Sequence, residues 1–372
     1  MSRRRIFIVL GTRPEAIKLA PVIWACRARP AEFETIVCLT GQHRELVRPL
    51  VDYFDLRPDV DLDLMTPGQS LAELTSRCLT KLDAALAEHR PDVVVVQGDT
   101  TTAMTAAMAA FFRRVPVVHV EAGLRTGDLN SPFPEEFNRR VVTLAAALHC
   151  APTERAAANL RAEGVADDRL LVTGNTAIDS LLWARDRLNS EIRNLNFVHD
   201  RPLVLITAHR RESFGPGFDG ICTAIATLAK KYPDHRLVWP LHPNPQASEP
   251  VRRALADLAN VELIGPLDYS GFVLTMDAAT LILTDSGGVQ EESPSLGKPV
   301  LVLREETERP EGIAAGCAEL VGTDAAKIVD RSSYYLDAAA RGETRPAIAN
   351  PYGDGRAAER IVDALYRLTI VL

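Results

Sequence analysis

Short runs of apolar, largely β-branched residues recur along the chain, separated by segments of helix length. Nine runs are predicted strands: Ile6–Leu10, Thr35–Leu39, Val93–Val96, Val115–Val120, Leu203–Ile206, Arg236–Trp239, Val261–Ile264, Leu281–Thr284 and Pro299–Leu303. Continuous apolar strands that alternate with helices are typical of parallel sheets covered by helices on both faces. The pattern therefore predicts a doubly wound α/β architecture. Because it occurs twice, it predicts two Rossmann-like sheets.

The length of 372 residues agrees with two domains, since it exceeds the size at which one hydrophobic core stops growing. A polar, helical stretch from Asn175 to Arg201 separates the two series of strands, so we place the boundary near residue 173. Open α/β sheets bind ligands at the carboxyl ends of their strands. Two such domains facing each other would place both sets of strand ends around one cleft.

Composition excludes several classes of protein. A net charge of -7 argues against nucleic-acid binding by general electrostatic attraction. The six cysteines form no C-x-x-C pair, so we expect buried, reduced thiols rather than a zinc site or a disulfide framework. No stretch of about 18 apolar residues occurs, so we expect no membrane span. The arginines before Ile6–Leu10 superficially resemble a signal peptide, but the apolar run is too short. We expect a cytoplasmic protein.

The turn Ser286-Gly287-Gly288 follows the predicted strand Leu281–Thr284. Its two glycines let the backbone approach a ligand, and a helix starting near Val289 would direct its positive end at an anion. The turn is therefore a candidate site for a nucleotide or sugar phosphate. The alternative is an ordinary strand-to-helix turn, capped by the side chain of Asp285 or Ser286.

Two cations follow the first predicted strand. Arg13 precedes Pro14, which suits the first position of a helix, and Lys18 lies one turn later. Cations at a helix N-terminus oppose its dipole, so a bound anion explains them better than helix stability does. The alternative is that both side chains are solvated.

Three carboxylates follow predicted strands or begin a helix in the first half of the chain. Asp99 comes just after Val93–Val96, where it is either functional or a helix N-cap. Glu121 directly ends the next strand and has fewer structural explanations. Glu135, with Glu136 beside it, follows a proline at a predicted helix start, where acidic residues also favour the helix dipole. Together, Asp99, Glu121 and Glu135 are candidates for a general acid and base.

In the second half, His209 and His242 each follow a predicted strand, and Arg309 lies in a polar loop after another. Arg309 alone would be solvated surface, but near a glycine-rich turn it is a candidate for binding a phosphate or base. The segment 215–220 fits G-x-G-x-x-G, yet it begins well after its strand and lacks the acidic partner, so we discard a dinucleotide site. No spacing matches a metal site.

Seven ordered motifs together resemble the non-hydrolysing UDP-N-acetylglucosamine 2-epimerases. They are Gly11-Thr-Arg-Pro-Glu-Ala-Ile-Lys18, Gly98-Asp-Thr-Thr-Thr102, His119-Val-Glu-Ala-Gly-Leu-Arg-Thr-Gly-Asp128, His209-Arg-Arg-Glu212, His242-Pro-Asn-Pro245, Asp285-Ser-Gly-Gly-Val-Gln-Glu-Glu292 and Glu306-Thr-Glu-Arg-Pro-Glu311. The resemblance implies a glycosyltransferase-B-like fold. Its N-terminal domain would comprise residues 1–172 plus a returning helix at 354–372, and its UDP-binding domain residues 173–353.

The resemblance implies reversible conversion of UDP-N-acetylglucosamine to UDP-N-acetylmannosamine, by anti elimination of UDP to 2-acetamidoglucal and readdition. No cofactor is implied. The implied catalytic residues are Asp99, Glu121, Glu135 and His209. The implied substrate-binding residues are Arg13, Lys18, His242, Phe272, Ser286, Gly287, Gly288, Glu292 and Arg309.

Regulation and assembly are also implied by the resemblance. A second UDP-N-acetylglucosamine would act as an allosteric activator, and the chain would form a homodimer. The residues that match an allosteric site are Gln42, His43, Gln69, Glu136 and Arg210. Leu267 departs from the family, in which some relatives carry a polar residue near the base. Two other functions remain open: a retaining glycosyltransferase of the same shape, and a catalytically silent nucleotide-sugar sensor.

Overall fold

Two compact units make up the chain. The computed structural model describes residues 3–42, 44–66, 68–192, 201–208, 216–241, 245–343, 346 and 348–369. One unit consists of Met1–Ser180 and Gly353–Leu372, and the other of Leu181–Tyr352. The first crossing between the units lies inside a helix, Thr176–Ile192, which begins just after the predicted boundary near residue 173.

The first unit is built on a seven-stranded parallel sheet. The elements up to the first crossing are β1 (Arg4–Leu10), α1 (Arg13–Arg27), β2 (Phe33–Leu39), α2 (Arg44–Tyr53), β3 (Val60–Asp61), α3 (Leu71–His89), β4 (Val93–Gln97), α4 (Thr101–Phe112), β5 (Val117–Val120), α5 (Glu135–Ala145), β6 (Ala146–Ala151), α6 (Glu154–Ala162), β7 (Leu170–Val172) and α7 (Thr176–Ile192). The strand order is β3-β2-β1-β4-β5-β6-β7. Because the order reverses between β1 and β4, the loops after these two strands lie side by side.

The second unit repeats this plan with six parallel strands. Its elements are β8 (Leu203–Thr207), α8 (Pro216–Lys231), β9 (Arg236–Pro240), α9 (Pro245–Leu255), β10 (Val261–Ile264), α10 (Tyr269–Ala278), β11 (Ala279–Thr284), α11 (Gly287–Glu292), β12 (Val300–Val302), α12 (Pro310–Ala314), β13 (Ala318–Leu320) and α13 (Ala325–Ala340). The strand order is β10-β9-β8-β11-β12-β13, so the reversal lies between β8 and β11. The last helix, α14 (Ala357–Arg367), belongs to the first unit.

The central strands are apolar along their length because helices cover both faces of each sheet. All of β4 is buried, as is β8. Helix α14 packs on α1 and buries Ile361, Val362 and Leu365. The Asp179 carboxylate accepts hydrogen bonds from the first backbone N–H groups of α14, including that of Ala358 at 2.9 Å. Burial raises the pKa of Asp179 to about 6.

The predicted doubly wound α/β architecture is confirmed, and each of the nine predicted strands is present with its ends shifted by at most two residues. Four strands were not predicted, namely β3, β6, β7 and β13. Three of them are only two or three residues long, and β6 is rich in alanine rather than β-branched residues. The six cysteines are buried, as predicted. Across the described ranges, no helix is long and apolar enough to span a membrane.

Candidate functional site

Glu121 lies at the carboxyl end of β5 and is the centre of a buried polar cluster in the first unit. Its carboxylate is 2.5 Å from the Lys18 Nζ, accepts a hydrogen bond from Gln97 Nε2, and lies 3.4 Å from Asn175 Nδ2. The backbone of Glu121 has φ +60°, a left-handed conformation that costs a non-glycine residue about 1–2 kcal/mol. Its polar partners hold the side chain in place despite that cost.

Asp99 lies beside this cluster, in the loop after β4. Its carboxylate forms an ion pair with Arg139 of α5, and its backbone carbonyl accepts a hydrogen bond from Asn138 Nδ2 at 2.9 Å. Burial raises the pKa of Asp99, Arg139 opposes this effect, and the nearby Glu121 adds to it. Asp99 is not the N-cap of α4, because that position belongs to Thr100, whose hydroxyl accepts the Ala103 N–H. The capping alternative for Asp99 is therefore wrong.

Gly98 directly precedes Asp99 in the chain, and its backbone lies close to the Glu121 carboxylate. A Cβ at this position would lie 3.6 Å from Glu121 Oε2, and the φ of +68° favours glycine. The Gly98 carbonyl is 2.8 Å from Nε2 of the fully buried His119. Burial lowers the pKa of His119 to about 4, so the ring is neutral near pH 7. Since a carbonyl only accepts, Nε2 carries the proton and fixes the loop that presents Asp99.

The N-terminus of α1 is occupied by a side chain of its own helix. Glu15 is fully buried and accepts hydrogen bonds from the N–H groups of Gly11 and Thr12, at 2.9 and 2.7 Å. Its other oxygen accepts the Thr100 hydroxyl at 2.6 Å, which links the loops after β1 and β4. Burial raises the pKa of Glu15 to about 7, although its four hydrogen bonds oppose this.

Arg13 and Lys18, the two cations predicted to bind an anion, have different surroundings. Lys18 is half-buried against Glu121, so the anion beside it in this structure is a protein carboxylate. Arg13 is exposed at the first turn of α1. Their predicted contacts with a bound anion remain predictions.

Two other candidates of the first unit, Glu135 and Glu136, lie in the first turn of α5. Glu135 is half-buried in the first turn of α5. Glu136, by contrast, is fully buried, and its carboxylate binds Arg139, Arg140 and the Thr126 N–H. These contacts assign Glu136 a clear structural role. Its predicted allosteric role remains a prediction.

Two further allosteric candidates are Gln42, in the loop after β2, and Gln69, in the loop before α3. Gln42 accepts a hydrogen bond from the Thr102 hydroxyl at 2.8 Å. Gln69 accepts hydrogen bonds from Arg77 and from the Thr66 hydroxyl. Four predicted site residues lie outside the described residues: His43, His209, Arg210 and His242.

In the second unit, the Ser286 turn follows β11, at the reversal of strand order, and leads directly into α11. Ser286 is the N-cap residue of α11, but its hydroxyl makes no capping hydrogen bond. That observation disfavours Ser286 capping as the reason for the serine. The helix begins at Gly287, two residues before the predicted start at Val289.

Arg309 packs over this turn. A Cβ at Gly287 would lie 3.6 Å from the Arg309 Nη2. The Arg309 guanidinium forms an ion pair with Glu291 of α11, and both side chains are largely buried. The structure thus brings together two residues that the sequence predicted for one ligand. Glu292, at the end of α11, and Phe272, in the first turn of α10, are both half-buried.

Several residues of these clusters were not predicted as site residues. They are Glu15, Gln97, Arg139, Asn175 and Glu291. Gln97 gave a usable signal, because it is a polar residue that ends an otherwise apolar buried strand. Arg139 and Asn175 gave none, since their relevance depends on tertiary contacts. The described residues contain no group of three side chains placed to hold a metal ion.

Comparison with known proteins points to one enzyme family. The model of the family described as UDP-N-acetylglucosamine 2-epimerase matches residues 25–366. The chain is 51% identical over 369 residues to UDP-N-acetylglucosamine 2-epimerase of Escherichia coli K12, covering 97% of this chain and 98% of that one. It is 49% identical over 376 residues to the protein of the same name from Yersinia pestis, covering 99% and 100%.

The chain is also similar to solved structures of proteins with this name. The UDP-GlcNAc 2-epimerase from Neisseria meningitidis bound to UDP-GlcNAc has a TM-score of 0.88 at 44% identity, covering 98% of this chain and 100% of that one. The Methanocaldococcus jannaschii UDP-GlcNAc 2-epimerase in complex with UDP-GlcNAc and UDP has a TM-score of 0.81 at 33% identity, covering 98% and 100%. The fold is glycosyltransferase-B-like, as predicted.

Proposed function

The chain belongs to the UDP-N-acetylglucosamine 2-epimerase family, and we propose that it interconverts UDP-N-acetylglucosamine and UDP-N-acetylmannosamine. The observation that carries the proposal for this chain is the cluster of Glu121, Lys18 and Asp99 at the strand ends of the first unit. Epimerisation requires proton removal and return at C2, and neighbouring carboxylates in a buried, charged environment are suited to that task.

We propose that the reaction is an anti elimination followed by addition. A carboxylate takes the C2 proton, the C–H electrons form the C1–C2 double bond, and the C1–O bond breaks to release UDP. The intermediate is 2-acetamidoglucal. In the return step, a UDP oxygen attacks C1 and a proton is delivered to the opposite face of C2. Because neither the elimination nor the addition transfers a hydride, this scheme requires no hydride cofactor.

The first unit would hold and move the protons in this scheme. The charge of Glu121 interacts with Asp99 and raises the pKa of the Asp99 carboxyl. Arg139 and Lys18 supply positive charge beside them. We propose Glu135 of this unit and His209 of the second unit as further members of the catalytic set.

The second unit would bind the nucleotide. C2 is not activated by a carbonyl, so elimination depends on stabilising the departing diphosphate. Ser286 to Gly288 offer backbone close to the ligand, and Arg309 adds a guanidinium over the same turn. We propose Glu292 for the ribose hydroxyls and Phe272 near the uracil. Arg13, Lys18 and His242 complete the proposed substrate contacts.

The direct test is incubation of the protein with UDP-N-acetylglucosamine, followed by NMR of the nucleotide sugars. We expect UDP-N-acetylmannosamine to accumulate to an equilibrium mixture. Starting from UDP-N-acetylmannosamine with a small amount of UDP-N-acetylglucosamine, the proposed activator, should give the same mixture. Unchanged substrate, or sugar transfer that requires an added acceptor, would contradict the proposal. A silent sensor would bind UDP-N-acetylglucosamine without converting it.

We also propose that a second molecule of UDP-N-acetylglucosamine activates the enzyme. The candidates are Gln42, His43, Gln69, Glu136 and Arg210. Gln42 supports this role, because its hydrogen bond to Thr102 links it to α4, the helix that follows Asp99. Wild-type rates should depend sigmoidally on substrate, and Gln42→Ala should make the dependence hyperbolic. Hyperbolic wild-type kinetics would count against activation.

We propose that the chain forms a homodimer. Support comes from an apolar face at the last turns of α4 and α5, helices that pack side by side. Phe111, Phe112 and Leu144 are 60%, 64% and 83% exposed there. Leu144→Arg should convert a dimer to a single chain in sedimentation experiments, whereas Arg substitution of the exposed Tyr334 in the second unit should not. An unchanged mass for Leu144→Arg would place the interface elsewhere.

A further inference from the structure

The segment Asn350–Tyr352 contacts the loop that carries Arg309. The proline and glycines of the run Asn350-Pro-Tyr-Gly-Asp-Gly355 favour a break in helical structure before α14. Tyr352 is 2% exposed, and its hydroxyl has two partners. It accepts a hydrogen bond from the Gly312 N–H at 2.8 Å and donates one to the Arg309 carbonyl at 2.9 Å. One buried phenol therefore fixes the backbone at the start of α12.

Asn350 contacts the backbone of Glu291, the ion-pair partner of Arg309. Its Nδ2 donates to the Glu291 carbonyl at 2.8 Å and lies 2.7 Å from the Ser295 hydroxyl. Its Oδ1 accepts the Tyr352 N–H at 3.0 Å, which couples the two side chains. The segment thus contacts the backbone of both members of the Arg309–Glu291 ion pair.

The fit around Tyr352 leaves little room for adjustment. A Cβ at Gly312 would lie 3.1 Å from the Tyr352 hydroxyl, so only glycine fits without displacement. On the other side of Arg309, the Thr307 hydroxyl accepts the Arg309 N–H at 3.1 Å and donates to Gln290 at 2.7 Å. Both the N–H and the carbonyl of Arg309 are therefore hydrogen-bonded to side chains, which fixes the backbone from which its guanidinium extends.

We propose that Tyr352, assisted by Asn350, is a positioning residue that sets the Arg309 guanidinium over the Ser286 turn. The proposal rests on the proposed nucleotide-binding function of the second unit. Removing the hydroxyl leaves a buried N–H and a buried carbonyl without their partner, which shifts the loop toward other conformations. Arg309 would then reach the nucleotide in only part of the population.

The test is a double-mutant cycle on UDP affinity, measured by calorimetry on the full chain. Tyr352→Phe should weaken UDP binding about tenfold. The matched control is Tyr232→Phe, which removes a half-buried hydroxyl that donates to Asp337 at 2.8 Å in the same unit. The control should leave affinity unchanged. In an Arg309→Ala background, Tyr352→Phe should have no further effect, because its contribution passes through Arg309.

Three other outcomes would overturn the inference. If wild-type protein binds UDP and Tyr352→Phe matches Tyr232→Phe, the positioning role is wrong while the proposed function stands. The same holds if the effects of Tyr352→Phe and Arg309→Ala simply add. A wild-type protein that does not bind UDP contradicts the proposed function itself. Should Tyr352→Phe not fold, Asn350→Ala replaces it in the cycle with the same expected coupling.

Discussion

The two sheets share one strand order around their reversal, yet the loops at that position carry different chemistry. In the first unit, the loop after β4 and the end of β5 present Asp99 and Glu121, each paired with a cation. In the second unit, Ser286 and the first turn of α11 follow β11 and present backbone at Gly287 and Gly288. In open α/β sheets the topology sets where a ligand binds, and the residues at the strand ends determine the chemistry.

Burial of charge is the second difference between the units. In the first, burial raises the pKa of Asp99 and that of Glu15, so proton affinity is tuned at the strand ends. In the second, the candidate site combines a glycine-rich turn with the Arg309–Glu291 ion pair. A proton-transfer site and an anion-binding site would differ in this way. Changes at Asp99 should therefore affect turnover, and changes at Arg309 should affect affinity.

The largest expected effect is that of Asp99→Asn. Loss of a carboxylate that transfers protons should lower kcat by about 10²- to 10⁴-fold, while UDP binding by calorimetry stays at the wild-type value. Asp83→Asn is the matched control, since Asp83 also pairs with an arginine, Arg113, but on the surface. Normal turnover in Asp99→Asn would remove Asp99 from the mechanism and contradict a proton-transfer site at the strand ends of the first unit.

Glu15 should make the stability of the first unit depend on pH. Its pKa is about 7 in the folded state and 4.5 as the ordinary value, so folding favours the protonated form. This contribution is fully present below pH 4.5 and is lost as pH rises to 7. The free energy of unfolding of wild type minus that of Glu15→Gln should therefore fall by about 3 kcal/mol over that range.

Denaturant unfolding at several pH values measures this difference. Glu73→Gln is the control, because Glu73 occupies the same position in the capping box of α3 but is exposed, and its hydrogen bonds to Ser70 lower its pKa. The free energy of unfolding of wild type minus that of Glu73→Gln should therefore rise, not fall, with pH. A wild-type minus Glu15→Gln difference that does not change with pH would contradict the burial argument.

Arg309→Ala should have a smaller effect, and on affinity. Loss of a charged hydrogen-bond donor to the diphosphate should weaken UDP binding about 10- to 100-fold. Arg331→Ala, which breaks an ion pair with Glu319 elsewhere in the second unit, should leave UDP binding unchanged. If Arg309→Ala lowered kcat and left the affinity for UDP intact, the assignment of turnover to Asp99 and of affinity to Arg309 would be wrong.

The sequence predicted the fold well because the information was local. Buried parallel strands such as Val93–Val96 are continuous apolar runs, which need no tertiary context to recognise. Short or alanine-rich strands such as β13 and β6 lack that signal, and they pair only because neighbouring strands are present. Propensity alone does not define them.

The candidate site was predictable only in part. Asp99 and Glu121 follow obvious strands, so their location at the sheet edge could be inferred. Their partners Arg139 and Asn175 lie about 40 and 54 residues further along, and no local pattern joins them. Tyr352 is hidden in the same way, because its contact with Arg309 spans 43 residues. Tertiary packing, rather than motif, creates these pairs.

The central claim is that the protein removes and returns the proton at C2, and deuterium incorporation tests it most directly. UDP-N-acetylglucosamine is incubated with the protein in deuterated water, and the nucleotide sugars are examined by NMR and mass spectrometry. We predict deuterium at C2 of the UDP-N-acetylmannosamine formed and, as the reaction reverses, of the recovered UDP-N-acetylglucosamine. An epimerised product that retains its original hydrogen at C2, or substrate that remains unchanged and unlabelled, would contradict the account.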